Sequence, residues 1–468
     1  MPCSNRGRIS DITRKKTTAT ACEKATSQLT QQFQRIFDDR RSRGQLDLEA
    51  VEMAIRSTVH QTGAEAVSEL LRFPPPEDDQ RCVPCACGQV ARYEGMRSRP
   101  ILTAVGWARI ERPYYLCRAC HNGQFPADVE LDLNKTDFSP GVRRMLAAVG
   151  SEAPFAQGRD QMKLLAGLEV TAKAVERAAE SIGEDIEARQ QQDIQYAKQL
   201  SLPALAGPPI PFLYVQMDGT QVFVVKSETE GCAGRTPGQP TRARECKLGA
   251  VFTQTGVDDQ GRPVRDEDST TYVGAIESAE EFGLRLYTEA WNRGWDRAAI
   301  RVVMGDGSHW IWNIANQHFP GAIQIVDLYH ARQHLWDLAR KLYPADEVAQ
   351  KRWLTHKLDW LENGKIEKLV AALQRLADTN TNSELVKTMR IEAEYFDGNR
   401  DRMRYPEFRE KSLFVGSGVI EAGCKTVIGS RLKQSGMFWT VRGANAIIAL
   451  RCCCISAKFE SYWEERAS

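Results

Sequence analysis

The chain has 468 residues, with 62 Lys plus Arg against 61 Asp plus Glu and a formal charge of +1. That length suits roughly two to four domains, and the balanced charge excludes a basic field over the whole chain, so nucleic-acid binding would rest on local patches. No uninterrupted apolar stretch is long enough to span a membrane, and the N-terminal MPCSNRGRISDITRKK lacks the apolar core of a secretory signal. A cytoplasmic protein with no membrane partner is therefore expected. Its 13 cysteines are an odd number, which argues against a disulfide framework and for reduced thiols, some of them binding metal.

Up to about Lys24 the chain is polar and positive, the pattern of a solvated tail. From Thr26 to Leu71 apolar residues recur at helical spacing, and Pro74, Pro75 and Pro76 end the segment. Two cysteine knuckles follow, Cys85-Ala86-Cys87-Gly88 and Cys117-Arg118-Ala119-Cys120, separated by residues that read as two or three short strands. This spacing predicts a zinc ribbon holding one structural Zn²⁺, because thiolates suit zinc in a closed site and so small a segment has little core without metal. Cys82 is an alternative to Cys85 as a ligand, and His121 to Cys120. Arg92, Arg97, Arg99, Arg109 and Arg112 alternate with Tyr93, Trp107, Tyr114 and Tyr115, which makes the ribbon a candidate nucleic-acid face, with Arg97 and Arg99 as DNA contacts.

Helical period returns from Ser139 to about Gln192. The stretch FAQGRDQMKLLAGLEVTAKAVERAAESIGEDIEA reads as helix, turn at Gly167, and second helix capped by Thr171. In a DNA-binding helix-turn-helix the early residues of the second helix, here Lys173 and Arg177, meet phosphates or bases. LPALAGPPIP then reads as a linker, since its prolines forbid a continuing helix.

Beyond the linker, FLYVQMDGTQVFVVK and CKLGAVFTQT read as strands, SAEEFGLRLYTEAWNRG as a helix, AAIRVVMGDG as a strand, HWIWNIANQHF as a helix, and AIQIVDLYHARQHLWDLARKLY as strand then helix. Meander strands followed by strand–helix alternation predict a ribonuclease H-like mixed sheet covered by helices. Asp218 falls on the first strand, Asp306 just past the fourth, and Glu421 in the first turns of a helix after Gly418. Each has a plain alternative. Asp218-Gly219 is a strong hairpin-turn signal, Asp306 between glycines is good turn and cap chemistry, and Glu421 can pair with Lys425 on a surface helix. Their joint placement favours phosphodiester chemistry, in which hard oxygen ligands hold two Mg²⁺ ions.

The motifs MDGT, RECKLGAVF, GDGSHWIW, VDLYHARQHLW, GSGVIEAGCK and RLKQSGMFWT together resemble transposases of ISKra-type bacterial insertion sequences, within the wider group carrying an Asp, Asp and Glu triad. The resemblance extends upstream through CACGQVARYEG, RPYYLCRAC and FSPGVRRM, so it covers the chain from about Cys85 onward. It implies that Asp218, Asp306 and Glu421 are catalytic and bind two Mg²⁺ ions, or Mn²⁺ in their place. It also implies that the helical stretch from Ala331 to about Arg404 is an insertion between the second aspartate and the glutamate. Asp327 and His330 match an Asp-x-x-His motif of related transposases and are candidate accessory residues. Trp439 reads as a core residue, with stacking on an extruded base as the alternative.

The expected organisation is multidomain α+β. A basic tail and helical segment (1–78), a zinc ribbon (79–130) and a helix-turn-helix-like helical domain (136–200) precede a ribonuclease H-like core in two parts (208–330 and 411–468) that flank an all-helical insertion (331–410). The expected function is binding of the terminal inverted repeats of an insertion sequence, with metal-dependent strand cleavage and transfer into target double-stranded DNA. The expected setting is a homodimer or larger assembly in a bacterial cytoplasm at the nucleoid. The alternatives are a hydrolytic nuclease on the same fold and a non-catalytic zinc-ribbon regulator.

Overall fold

The computed structural model describes residues 23, 25–39, 47–199, 206–230 and 241–467. The basic tail up to Lys24, apart from Glu23, and residues 202–205 of the linker lie outside the described residues. The chain divides into two compact units, Met1–Ala178 and Ala179–Ser468.

In the first unit, helix α1 (Leu48–Leu70) begins at Asp47, whose side chain accepts the Ala50 N–H. Strands β1 (Cys82–Pro84), β2 (Val90–Thr103), β3 (Gly106–Leu116) and β4 (Gly123–Gln124) pair antiparallel in that order. Along β3 the side chains alternate, so that Ala108, Ile110 and Arg112 are buried while Trp107 and Arg109 face solvent. Arg112 is a charge on the buried face, and it is fully matched there. It meets the Asp128 carboxylate through bonds of 2.8 and 2.9 Å, donates to the Arg97 carbonyl at 3.0 Å, and lies 3.9 Å from the Phe125 ring centroid. Arg99 turns inward too, bonding Asp128, Asp137 and the carbonyls of Thr136 and Leu133. The outward arginine face expected from the sequence is thus smaller: Arg92, Arg97 and Arg109 are exposed, while Arg99 and Arg112 tie the ribbon to the segment after it.

Helices α2 (Pro140–Glu152) and α3 (Phe155–Gln161) follow, the latter continuing as a wider turn over Met162–Ala166. Gly167 has φ of 67°, a conformation that favours glycine and ends the helix. Thr171 then caps α4 (Ala172–Lys198), its hydroxyl accepting from Ala174 N–H at 3.1 Å. Val142, Leu146, Met162, Leu168 and Val175 close a small core beneath this turn.

The second unit is built on a mixed five-stranded sheet. Its strands are β5 (Ile210–Phe223), β6 (Ala243–Gln254), β7 (Thr271–Ala275), β8 (Ala298–Gly305) and β9 (Ile323–Val326), in spatial order β9-β8-β5-β6-β7. The pairs β5–β6 and β6–β7 are antiparallel, whereas β8 runs parallel to both β5 and β9. The parallel strands need crossovers, supplied by α5 (Ala279–Asn292) and α6 (His309–His318). A capping box at Ser278 and Glu281 starts α5. The Asp218-Gly219 pair is mid-strand, opposite Leu248 and Lys247, so the hairpin-turn reading of this dipeptide fails. The ladder partners on β6 continue past it and supply the hydrogen bonds that a turn would have made locally.

After β9 come helices α7 (Leu328–Leu342), α8 (Glu347–Glu362), α9 (Ile366–Thr379) and α10 (Ser383–Gly398). Their apolar faces, including Leu335, Leu354, Leu361, Leu369 and Phe396, join one continuous core with Val302, Met304 and Ile325 of the sheet. Helix α11 (Gly418–Gly423) and helix α12 (Val441–Ile455) return to the sheet. Trp439 is buried, with its indole N–H on the Leu432 carbonyl at 3.1 Å, in keeping with a core role. Among the described residues, no helix is long and apolar enough to cross a membrane.

Removing one partner of a buried ion pair leaves the other charge uncompensated, at about 3–5 kcal/mol. Asp128→Ala strands the buried Arg112, while Arg99 keeps Asp137, so it is expected to destabilise the ribbon segment by that amount in urea titrations read by hydrogen exchange over residues 90–116. Arg109→Ala, on the solvent side of the same strand, is expected to change stability by no more than about 0.5 kcal/mol.

Candidate active site and cysteine cluster

The strand order brings two of the three predicted carboxylates together. Asp218 lies near the middle of β5, and Asp306 is the first residue after β8, the parallel neighbour of β5. Both are half-buried. Burial pushes the Asp218 carboxyl above the usual range and the negative charge of Asp306 adds to this, while the Gly219 N–H at 2.7 Å, the Cys424 thiol and His330 oppose it. Asp306 accepts the Ser308 N–H at 2.8 Å and the Ser308 hydroxyl at 3.1 Å, so it performs the turn role its sequence suggests but does not cap α6, whose N-cap is Ser308. Neither carboxylate is ion-paired among the described residues, so the two neighbouring acids have His330 as a nearby basic group but no salt-bridge partner.

The helix that carries Glu421 packs on the sheet beside Asp218, but the Glu421 side chain does not join the two aspartates. Helix α11 is docked on the sheet by a buried bond from the Ile420 N–H to Gln216 Oε1 at 3.0 Å. Gly423 packs so closely that a Cβ would lie 2.5 Å from the Tyr272 ring. One residue further on, the Cys424 thiol sits 3.6 Å from Asp218 Oδ2, and burial together with the Asp218 charge pushes that thiol well up. The Glu421 side chain is exposed and pairs with Lys425 at 2.7 Å. The oxygens of Asp218, Asp306 and Glu421 do not all lie within 4.8 Å of one another. An i,i+4 pair of this kind is worth only about 0.2–0.5 kcal/mol, so the side chain is cheaply released.

Asp327 and His330 take different parts. Asp327 is buried and caps α7, accepting the N–H groups of Tyr329 at 2.6 Å and His330 at 3.1 Å. Its other oxygen accepts the Ser417 N–H at 2.8 Å and the Ser417 hydroxyl. With four donors it is a structural tie between β9 and the entrance to α11. His330 lies close enough to Asp218 to favour its ionised form, and its ring meets that of His334 edge-on, with centroids 5.0 Å apart.

Sequence reasoning missed Gln216, Cys424, Tyr395, His334 and Glu392. The Tyr395 hydroxyl donates to the Asp306 carbonyl at 2.9 Å, and burial pushes its pKa up, so it stays a protonated donor. Cys424 was findable, since it stands three residues after Glu421 and so on the same helix face. His334 likewise follows His330 by one turn.

In the first unit, Cys85, Cys87, Cys117 and Cys120 bring their sulfurs within 4.8 Å of one another, a set that could hold a metal ion and fits a zinc ribbon. The cluster resolves the alternatives in the sequence: Cys82 and His121 lie outside it. Each knuckle is a backbone turn at a strand junction, closed by Cys85 N–H to Gln89 carbonyl at 2.8 Å and Cys117 N–H to Asn122 carbonyl at 3.0 Å. The Cys120 N–H holds the Cys117 thiol down to about 7, with help from the Ala119 N–H and neighbouring thiols. Lys173 and Arg177 are both exposed at the start of α4, with Lys173 paired to Glu176 at 2.7 Å.

Metal analysis of the purified protein is expected to find one zinc per chain. Cys117→Ser should release it, and hydrogen-exchange protection should fall over residues 82–124 while that of β5 and β8 is kept, because the sheet has its own core. Full zinc occupancy in the variant would show that these thiols do not hold it.

The chain matches no family profile and no curated protein. Among solved structures it is similar to the Drosophila P element transposase in its strand transfer complex, at 8% identity and a TM-score of 0.24, with 73% of this chain and 84% of that chain covered. So slight a likeness carries no argument about this chain, and it leaves the resemblance to insertion-sequence transposases resting on the sequence motifs alone.

Proposed function

We propose that the protein is a metal-dependent DNA transposase of the Asp-Asp-Glu type, of the insertion-sequence kind its motifs resemble, with a ribonuclease H-like catalytic core. The observation that carries this reading is the neighbouring pair of half-buried carboxylates with no salt-bridge partner, Asp218 within β5 and Asp306 at the end of its parallel neighbour β8. The strand order β9-β8-β5-β6-β7, three antiparallel strands followed by two parallel ones, supports the fold assignment. Docking of the Glu421 helix on Gln216 of the same strand supports the third member.

The donor set suits a hard divalent cation. Carboxylate oxygens match Mg²⁺ or Mn²⁺, and two neighbouring acids with no salt-bridge partner gain from one. Asp218 and Asp306 would hold the ions, with Glu421 joining on release from Lys425. When bound, such ions stabilise charge on the attacking and leaving oxygens of a phosphodiester. The protein's own part is to fix the two aspartates on adjacent strands, where their separation cannot drift, and to keep Asp306 oriented through Ser308. Cleavage is attack of water on phosphorus, which frees a 3′ hydroxyl. Transfer repeats the displacement with that hydroxyl as nucleophile on target DNA, so one P–O bond forms as another breaks and no outside energy is needed.

End recognition falls to the first unit in this reading. Lys173 and Arg177 at the start of α4, and exposed Arg97 on the ribbon, are the candidate contacts, and the cysteine cluster takes one structural Zn²⁺. Two DNA ends must be processed together, so a homodimer or larger assembly on DNA is part of the proposal.

The decisive experiment uses duplexes ending in the repeats that flank the reading frame. Asp218→Asn, Asp306→Asn and Glu421→Gln are each expected to abolish cleavage with duplex affinity retained; near-normal cleavage by any one removes that residue from the site. Joined products with target DNA are expected from the wild type, and cutting without joining would identify a hydrolytic nuclease instead.

Salt titration separates the two contacts on α4. Lys173→Ala is expected to weaken every duplex and flatten the slope of log affinity against log salt by about 0.9, the signature of one lost phosphate contact. Arg177→Ala is expected to cost roughly 1–3 kcal/mol for the repeat with little change for random duplex, as loss of a base-edge contact does. Unchanged repeat affinity in both variants would place end recognition elsewhere.

A further inference from the structure

Tyr395 belongs to α10 and stands 89 residues from Asp306, yet its hydroxyl donates to the Asp306 carbonyl oxygen at 2.9 Å. The next residue, Gly307, has φ of 101°, and a Cβ there would lie 2.5 Å from the Tyr395 ring. The glycine therefore forms a notch that the tyrosine fills. The ring is also clamped from the other side. His334 of α7 stacks on it with centroids 4.0 Å apart and planes at 12°, and His334 Nδ1 meets the Glu392 carboxylate at 2.7 Å. Glu392 precedes Tyr395 by three residues on the same helix, so histidine, carboxylate and phenol brace one another.

This brace acts on the weakest point of the candidate site. A peptide that enters a left-handed glycine is free to rotate, because no Cβ restricts it. The Asp306–Gly307 peptide is such a unit, and its orientation sets where Ser308, which holds the Asp306 carboxylate, is placed. Ser308 steadies the carboxylate itself. The carbonyl has the Tyr395 hydroxyl.

We propose that Tyr395, braced by His334 and Glu392, is a positioning residue that pins the Asp306 peptide so that the Asp306 carboxylate faces Asp218, making a divalent-cation site depend on the helix that carries it. This rests on the functional reading above. Partners that orient a ligand without touching the metal typically change metal affinity or activity roughly 10–100-fold when removed, and Tyr395→Phe removes only the hydroxyl while keeping the ring in its notch.

The test uses the full-length protein and three readouts: thermal unfolding with duplex affinity, Mn²⁺ binding followed by loss of the free-ion electron paramagnetic resonance signal, and the Mn²⁺ dependence of DNA cleavage. Tyr395→Phe is expected to unfold and bind duplex as wild type does, with Mn²⁺ affinity lowered roughly 10–100-fold and cleavage recovering as Mn²⁺ is raised. Gly307→Ala, which displaces the ring from the same peptide, is expected to shift Mn²⁺ affinity in the same direction. Wild-type Mn²⁺ affinity in Tyr395→Phe overturns the proposal, as does a fall in unfolding temperature or duplex binding that accounts for the lost cleavage. If the wild type neither binds Mn²⁺ nor cuts DNA, the functional reading fails and the proposal with it; if the wild type does both and Tyr395→Phe matches it, the proposal alone fails.

Discussion

The second unit depends on one buried carboxylate. Asp327 accepts two N–H groups at the start of α7 and two donors from Ser417, 90 residues away. A buried acid left without donors would be costly, and one with four is stable only where all four are present. The bonds therefore fix where the chain leaves the sheet and where it re-enters. Everything between, the helices from α7 to α10, is a long excursion that begins and ends at one residue. Helix α11, carrying Glu421, starts at that same point, and so its placement over β5 follows from a capping interaction at the end of β9. The Leu328 N–H to Val415 carbonyl bond at 2.9 Å beside it closes the junction.

The excursion is more than a spacer because its core is shared with the sheet. Val302 and Met304 of β8 belong to one core with Leu361 and Phe396, and Tyr395 of α10 bonds directly to the Asp306 carbonyl. Rigid packing behind the strand and polar bonds at its end serve the same purpose. Catalysis of phosphoryl transfer depends mostly on positioning and on charge held ready for it. In the proposed function, Asp218 and Asp306, held within and just after adjacent strands, are the rigid part of the site, and Glu421, weakly paired with Lys425, is the part free to move.

Much of this was legible in the sequence, and the failures have physical causes. The apolar run IRVVM before Asp306 is β8, and its position at a strand end followed from local pattern. Asp218 is harder, because Asp-Gly is turn chemistry and only the non-local ladder to Leu248 and Lys247 makes it mid-strand. The cysteine knuckles were visible from spacing, but the choice of Cys85 over Cys82 depends on a backbone turn to Gln89. Arg97, Arg99 and Arg112 look alike along β2 and β3. What separates them is Asp128, a residue 16 positions beyond Arg112, which turns two of the three inward. Tyr395 gave no signal at all, since its role needs a glycine 88 positions earlier in the chain and a histidine on another helix.

In the proposed function, Asp218 and Asp306 form a divalent-cation site that Glu421 completes. Anomalous scattering from Mn²⁺ in crystals of the full-length protein measures this directly. A manganese peak is expected between the carboxylates of Asp218 and Asp306, with Glu421 turned away from Lys425 to join it. Crystals saturated with Mn²⁺ that show no peak at this pair of aspartates would contradict it.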